Sequence, residues 1–343
     1  MMKRKSPVVN NSRLSKLAAR RRLDQVLVCD PANVKAFVGV ECDNAIVTLD
    51  AFYTDFRYVP MARRLVKGLT VRDISRLKES APRSGAGMRI GFESSIPHSR
   101  YLSFAKLFPR AKFVDISTQL GELRAVKSIA EQDALRAAAK LNREIWENAR
   151  SRFSAGMTER DMARIIQILM ASRGDGEAFP TIVCIGKNAA ECHHEPDGTV
   201  WDGREPVLVD MGVKLGGVCS DMTRNIVPRR PLSRYRQAYD LVRRAHDEAI
   251  AVARPGMTAR ALDKVARDVI RLGGLGKRFG HSLGHGVGYE IHEAPTVSRK
   301  CDTVLKEGMV FTIEPGVYIE GDFGIRIEDT VLLTTSGCEI LTA

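Results

Sequence analysis

The sequence predicts an α+β protein of two domains: a small α/β domain over residues 1–122 and a larger domain over residues 123–343 made of two similar halves. Three observations predict it. Short apolar strand-like runs alternate with helix-like segments up to about residue 121, the texture of a small α/β unit. A Gly-Met-Thr-x-Arg string occurs at 156–160 and again at 256–260, each time after one long helical segment and at the start of another. In each half a strand-like apolar run then ends in an acid, Asp210 or Glu314, and a second acid follows at Asp221 or Glu328. An ordered recurrence of this kind is the mark of an internal duplication, and two such halves about a pseudo-twofold axis would bring four carboxylates to the centre.

Taken in order, residues 1–12 show no periodicity and read as frayed. Leu14, Leu17 and Ala18 give helical spacing over 12–22. Residues 26–29 form an apolar strand, stopped by Asp30-Pro31-Ala32-Asn33. The runs 36–40, 45–49 and 51–53 read as further strands, 58–67 and 71–79 as helices, and 81–87 as a turn-rich break. Strands at 89–92 and 112–116 flank a helix at 99–107. Ser128 and Glu131 form a capping box for a long helix over 129–152, with Ala134, Ala138, Leu141, Ile145 and Ala149 at helical spacing. Thr158 caps the next helix, whose face carries Met162, Ile165, Ile166 and Leu169. In the second half a helix over 234–253 precedes Thr258, which caps a helix carrying Leu262, Val265, Ala266 and Val269.

Composition excludes several classes. The 343 residues are 44% hydrophobic and 27% charged, ordinary for a globular chain able to bury a sizeable core. No apolar run reaches the roughly 18 residues of a membrane span, and no apolar region follows Lys3, Arg4 and Lys5 as a secretory signal requires. Neither a membrane partner nor secretion is expected. The seven cysteines are odd in number and never form Cys-x-x-Cys, which predicts a reduced, cytoplasmic protein without a disulfide framework or structural zinc. The net charge of +12 is concentrated near Lys3–Lys5, Lys16 and Arg20–Arg22. Such a patch can meet nucleic acid, but no recognition-motif signature accompanies it. It reads as a solvated helix face, and no nucleic-acid partner is expected.

The candidate chemistry lies between residues 210 and 328. A lone Asp after a strand is usually a turn or cap residue, and a lone His between glycines a loop residue. Asp210, Asp221, His285, Glu314 and Glu328 differ because they recur in duplicated order around apolar strands, where an unpartnered carboxylate is costly. Four hard carboxylates and one imidazole suit Mn²⁺, Co²⁺, Fe²⁺ or Zn²⁺, and five ligands are too many for one tetrahedral zinc. Two ions sharing carboxylates fit the set. Such a pair activates a water and polarises a carbonyl, the apparatus for amide hydrolysis.

The strings around these residues are specific. They are Val209-Asp210-Met211-Gly212, Ser220-Asp221-Met222-Thr223-Arg224, Gly284-His285-Gly286-Val287-Gly288 with His292-Glu293-x-Pro295 beyond it, Thr312-Ile313-Glu314-Pro315-Gly316, and Gly324-Ile325-Arg326-Ile327-Glu328-Asp329. They resemble the pita-bread metallopeptidases (M24), in the branch of the Xaa-Pro aminopeptidases and Xaa-Pro dipeptidases (prolidases). The resemblance extends over nearly the whole chain. Phe52-Tyr53-Thr54-Asp55-x-Arg57-Tyr58 is similar to a motif of that branch's N-terminal domain, and Leu123-Arg124-x-x-Lys127-Ser128 to its domain junction.

The resemblance implies a C-terminal pita-bread (creatinase/aminopeptidase) fold behind a creatinase-type α/β domain. It implies two divalent ions per chain, Mn²⁺ first, on Asp210, Asp221, His285, Glu314 and Glu328, with Asp221 and Glu328 bridging. Glu314 would also take the proton of the attacking water. A histidine followed by His-x-x-Pro spacing favours His193 over its neighbour His194, because Pro196 follows at the right distance. His193, His292 and Arg326 would serve catalysis and substrate binding, and His281 would line the substrate pocket. A homodimer and a proline-containing peptide substrate are expected on the same ground. An Xaa-Pro bond lacks the N–H that general peptidases grip, so a site that holds the carbonyl and leaves an apolar slot for the ring suits it.

Methionine aminopeptidases share the five ligands, but Pro315-Gly316-Val317-Tyr318, Arg326 before Glu328 and the additional N-terminal domain favour the proline-specific branch. A non-catalytic binding protein on the same fold would have lost ligands, and all five are present. The creatine-hydrolysing branch works without them. Between dipeptidase and aminopeptidase the sequence does not decide.

Overall fold

A computed structural model describes residues 11–80 and 87–343. The frayed segment expected at 1–12 falls mostly outside the described residues, as does most of the break at 81–87. The chain divides into two compact units, Met1–Arg124 and Ala125–Ala343.

In the first unit, α1 (Asn11–Arg21) leads to β1 (Gln25–Leu27) and α2 (Pro31–Val38). The strand expected at 36–40 is therefore wrong. Asp30 caps the segment by accepting from the backbone N–H groups of Ala32 and Asn33 at 3.1 and 3.2 Å, Pro31 supplies a preset first-turn φ, and Gly39 closes the helix at φ 71°. Cap chemistry at both ends outweighs the β-like apolar run between them. Then come β2 (Ile46–Val47), β3 (Ala51–Thr54), α3 (Val59–Leu65) and β4 (Thr70–Asp73). The helix expected at 71–79 is also corrected. Thr70–Asp73 pairs in parallel with β3. Asp73 then accepts from the Ser75 N–H and hydroxyl at 2.9 and 2.6 Å, which starts a 3₁₀ turn over Ile74–Ser80. The unit closes with β5 (Arg89–Phe92), α4 (His98–Leu107), β6 (Lys112–Asp115) and α5 (Ser117–Ala125), the last reaching the junction. Strands β1, β5 and β6 make a parallel sheet, and β2, β3 and β4 a mixed one.

The second unit repeats one plan. Helices α6 (Ile129–Arg150) and α7 (Glu159–Arg173) precede β7 (Ile182–Ile185) and β8 (Val207–Met211). After the short β9 (Lys214–Leu215) and β10 (Val218–Cys219) comes β11 (Met222–Ile226), giving the antiparallel sheet β11-β8-β7. Helices α8 (Ser233–Val252) and α9 (Ala259–Leu272) open the other half. They are followed by β12 (Gly284–Gly286), β13 (Glu293–Val297), β14 (Val310–Ile313), β15 (Gly316–Ile319), β16 (Phe323–Arg326), β17 (Asp329–Leu333) and β18 (Cys338–Ile340). Each half has its own core. Ile145, Met162, Ile166, Val183, Val207 and Val209 fill the first; Val242, Leu262, Ile270, Phe311, Ile313 and Val331 fill the second. Of these, Ile145, Met162, Ile166 and Leu262 lie on the apolar helix faces that helical spacing marked.

The duplication extends to single backbone hydrogen bonds. Gly156 N–H donates to Trp201 O, Glu159 N–H to Thr199 O and Arg160 N–H to Asp197 O. Their counterparts are Gly256 to Leu305, Ala259 to Thr303 and Arg260 to Cys301. Thr158 bridges to Val200 and Thr258 to Val304.

Candidate metal centre

Two antiparallel strand pairs position the acids. Asp210 is the penultimate residue of β8, and the partner strand β11 starts just after Asp221, with Asp210 opposite Thr223. β14 ends just before Glu314, and its partner β17 starts just after Glu328, with Ile313 opposite Asp329. Each pair thus delivers two carboxylates at one end. His285 comes from β12, which can lie against β14 because residue 284 is glycine: a Cβ there would stand 1.9 Å from the Thr312 carbonyl oxygen.

The five side chains gather in one buried site. His285 Nε2 lies 3.5 Å from Asp221 Oδ2 and 3.3 Å from Glu314 Oε1. Donor atoms of Asp221, His285 and Glu328 all fall within 4.8 Å of one another. Asp210 is close enough for its charge to raise the pKa values of Asp221, Glu314 and Glu328. Asp221 is 4% exposed and Glu328 2%.

Burial and mutual repulsion dominate the electrostatics. Burial, then the charges of Glu328, Asp210 and Glu314, push Asp221 well above the usual carboxylate range. Burial, then Glu314 and Asp210, do the same to Glu328, against the Thr223 hydrogen bond and Arg326. Burial pushes Glu314 up to about 7, with Asp210 adding to it and Arg326 and the Thr312 hydrogen bond opposing. A buried carboxylate cluster must hold either protons or cations.

The donor set fits cations. Asp210 Oδ1 is buried and has no hydrogen-bond partner among the described residues, whereas its Oδ2 accepts from Arg326 Nη2 at 2.7 Å. The free oxygen is available to a cation. His285 Nδ1–H donates to Gly286 O at 3.1 Å, so the Nε2 lone pair points at the acids, the tautomer a metal ligand needs. Thr223 Oγ1–H donates to Glu328 Oε2 at 2.6 Å and Thr312 Oγ1–H to Glu314 Oε1 at 2.9 Å.

Arg326, 4% exposed, organises this set. Besides Asp210, its Nε donates to Thr223 Oγ1 at 3.0 Å and its Nη1 to Tyr318 Oη at 2.9 Å. Tyr318 in turn donates to His281 Nε2 at 3.0 Å, and His281 Nδ1–H donates to Ser282 O at 2.8 Å. His281 is thereby fixed as neutral. Burial, reinforced by Arg326, Arg267 and His193, pulls its pKa down to about 4 despite the Ser282 bond. The structure places it in this hydrogen-bonded chain, with Tyr318 and Arg326 between it and Asp210. Neither Tyr318 nor Thr223 and Thr312 are singled out by sequence reasoning, although all three stand inside the quoted strings.

His292 stacks edge-on against His285, ring centroids 4.3 Å apart. Burial, then His285 and His193, lower its pKa. His193 is thus near enough to both His281 and His292 to perturb them, and the Cys192 carbonyl beside it faces Arg326 Nη1 at 3.5 Å. His194 turns the other way and bonds Glu159 Oε2 at 2.7 Å. The structure brings His193, His292 and Arg326 to the four acids and His285, and takes His194 elsewhere.

Comparison with known proteins supports the fold. The model for metallopeptidase family M24 matches residues 133–335, and the creatinase/prolidase N-terminal domain model matches residues 11–126. The Xaa-Pro dipeptidase of Pyrococcus furiosus is 34% identical over 337 residues, 96% of each chain. The solved Xaa-Pro dipeptidase from Bacillus anthracis superposes with TM-score 0.91 at 30% identity, covering 97% of this chain and 96% of that one. The X-Pro aminopeptidase from Thermotoga maritima does so with TM-score 0.87 at 31% identity, covering 95% and 97%. The expected architecture, a creatinase-type N-terminal domain before a pita-bread domain, holds.

Proposed function

The chain belongs to metallopeptidase family M24, and from that premise we propose that it hydrolyses the Xaa-Pro bond at the N-terminus of dipeptides or short peptides, as the names of its relatives state for them. The observation that carries the reading is the convergence of Asp210, Asp221, His285, Glu314 and Glu328 in one buried site, with Asp210 Oδ1 and His285 Nε2 unspent.

These five residues would hold two divalent ions, Mn²⁺ first and Co²⁺, Zn²⁺ or Fe²⁺ as alternatives, which lower the pKa of a water and polarise the scissile carbonyl. Glu314, a carboxylate at the centre of the cluster, accepts the water's proton. His292 and His193, beside the ligands, offer N–H donors to the oxygen that gains charge. Arg326 keeps Asp210 in place directly and Glu328 through Thr223. His281, through Tyr318, buttresses that arginine.

The test is hydrolysis of an Xaa-Pro dipeptide, an Xaa-Pro-Yaa tripeptide and an Xaa-Leu control after metals are returned to the stripped protein. Cleavage of a proline substrate over the control supports the reading; no cleavage with any of the four metals contradicts it. The chain is as similar to a dipeptidase as to an aminopeptidase, so the two proline substrates separate those branches. A methionine-type specificity would show as cleavage of Met-Xaa instead. We also propose a homodimer in the cytoplasm, in keeping with seven free thiols; a single monomeric species in sedimentation velocity would contradict the dimer. No helix among the described residues is long and apolar enough to cross a membrane.

A further inference from the structure

We propose that Glu159 is a positioning residue for His193: its buried carboxylate gathers the β7–β8 connection so that His193 faces the substrate side of the metal centre. This rests on the reading of His193 given above.

Glu159 is the first residue of α7 and is fully buried. Both of its oxygens are used. Oε1 accepts from Ile185 N–H at 2.7 Å and Asn188 Nδ2 at 3.0 Å; Oε2 accepts from His194 Nε2 at 2.7 Å and Asp197 N–H at 3.0 Å. The four donors come from the start, middle and end of the segment 185–197, which is otherwise a 3₁₀ turn at Gly186–Ala190 and irregular chain. Its opposite side is clamped too. Gly324 lies so close that a Cβ there would stand 1.7 Å from Ala189 O, and Cys192 O faces Arg326. His193 stands between a residue held by Arg326 and one held by Glu159.

Glu159, His194 and Asp197 place three donor atoms within 4.8 Å of one another, which resembles a second cation site. The hydrogen bonds argue against it. A carboxylate has about four lone-pair positions, and four N–H groups already occupy those of Glu159.

The internal repeat supplies a control for a purely structural role. Position 259 is the counterpart of 159, with the same Thr cap and the same backbone bonds around it, yet it is alanine. The frame therefore forms without a carboxylate there. What the first half has in addition is the histidine-bearing connection. The second half secures its own histidine segment from a different position: buried Asp263 on α9 accepts from Leu283 N–H at 3.2 Å, two residues before His285, and pairs with Arg267.

The test uses the full-length protein loaded with Zn²⁺ and labelled at histidine ring carbons, with the His193 signal assigned by His193→Gln. In Glu159→Gln one oxygen becomes an N–H₂ group that meets either the Ile185 N–H and Asn188 Nδ2–H donors or those of His194 and Asp197 N–H. The His193 signal should shift or broaden while that of His98, in the N-terminal unit, stays put. kcat/KM on an Xaa-Pro peptide should fall about tenfold, but by less than about twofold when His193 is already Gln, because residues acting as one unit are not additive. Should Glu159→Gln fail to fold, His194→Ala removes one donor only, and His194→Gln returns an N–H near the Nε2 position; the first should disturb the His193 signal and the second restore it. An unmoved His193 signal, or an equal loss of kcat/KM in both backgrounds, overturns the proposal. A wild type that cuts no proline peptide would sink the proposed function instead, and the ring signals would still decide this one.

Discussion

Arg326 reaches two carboxylates by different routes, Asp210 through Nη2 and Glu328 through Nε and the Thr223 hydroxyl. A lysine keeps the charge but cannot reproduce a planar fork with three directed bonds. Arg326→Lys should therefore weaken metal affinity and turnover by about 10- to 100-fold, measured by metal titration of folded protein; affinity equal to wild type would contradict the role. His281 gives a pH signature. Its pKa is about 4 here, with burial the main cause, against about 6.5 in an unfolded chain. Between those values the unfolded state binds the extra proton, so stability falls as pH drops from about 6.5 to about 4 and that contribution levels off below. His281→Gln should lose less Tm than wild type between pH 7 and pH 5; an equal loss would count against a neutral buried imidazole. The four candidate ligand acids were legible because acids beside the ends of apolar strands are rare. Tyr318, Thr223 and Glu159 were not, because a hydroxyl or a helix-start Glu is commonplace until the fold shows what it touches.

At the level of elements, the long amphipathic helices were the most readable part, since the 3.6-residue spacing of Leu141, Ile145, Met162 and Ile166 marks a core face directly. The errors fell on short elements. Residues 36–40 carry a β-like run, but the deciding signals lie outside it, in Asp30-Pro31 before and Gly39 after. Thr70–Asp73 is a strand because β3 offers a parallel partner, a fact no local pattern contains. The duplicated helix starts make a paired prediction. Thr158 has a full capping box with Asp161, whereas Thr258 caps the Ala261 N–H alone. Thr258→Ala should cost about 1 kcal/mol and Thr158→Ala more, because the latter also loses the hydroxyl's bond to the Asp161 carboxylate. Equal losses in urea unfolding would show that the box adds nothing.

For the molecule as a whole, the duplication explains why a cluster of like charges exists at all. Two halves with separate cores each end a strand pair in two acids, and the carboxylates meet where the halves join. His285 has no counterpart among the candidate ligands of the first half, so the two ions proposed above would sit in chemically different positions. The fold keeps the site together through bonds between halves: Arg224 Nη1 donates to Glu328 O at 2.6 Å, Asn225 Nδ2 to Arg326 O at 2.6 Å, and Thr330 Oγ1 to Asp221 O at 2.8 Å. The central claim is that this centre carries two divalent ions that do the chemistry. The most direct measurement is titration of stripped protein with Mn²⁺, reading bound ions per chain against hydrolysis of an Xaa-Pro dipeptide. The account predicts that activity rises from nothing and completes at two ions per chain, and that Asp221→Ala lowers occupancy while Glu314→Gln abolishes turnover. Full activity in the stripped protein, or saturation at two ions with no proline peptide cleaved, would contradict it.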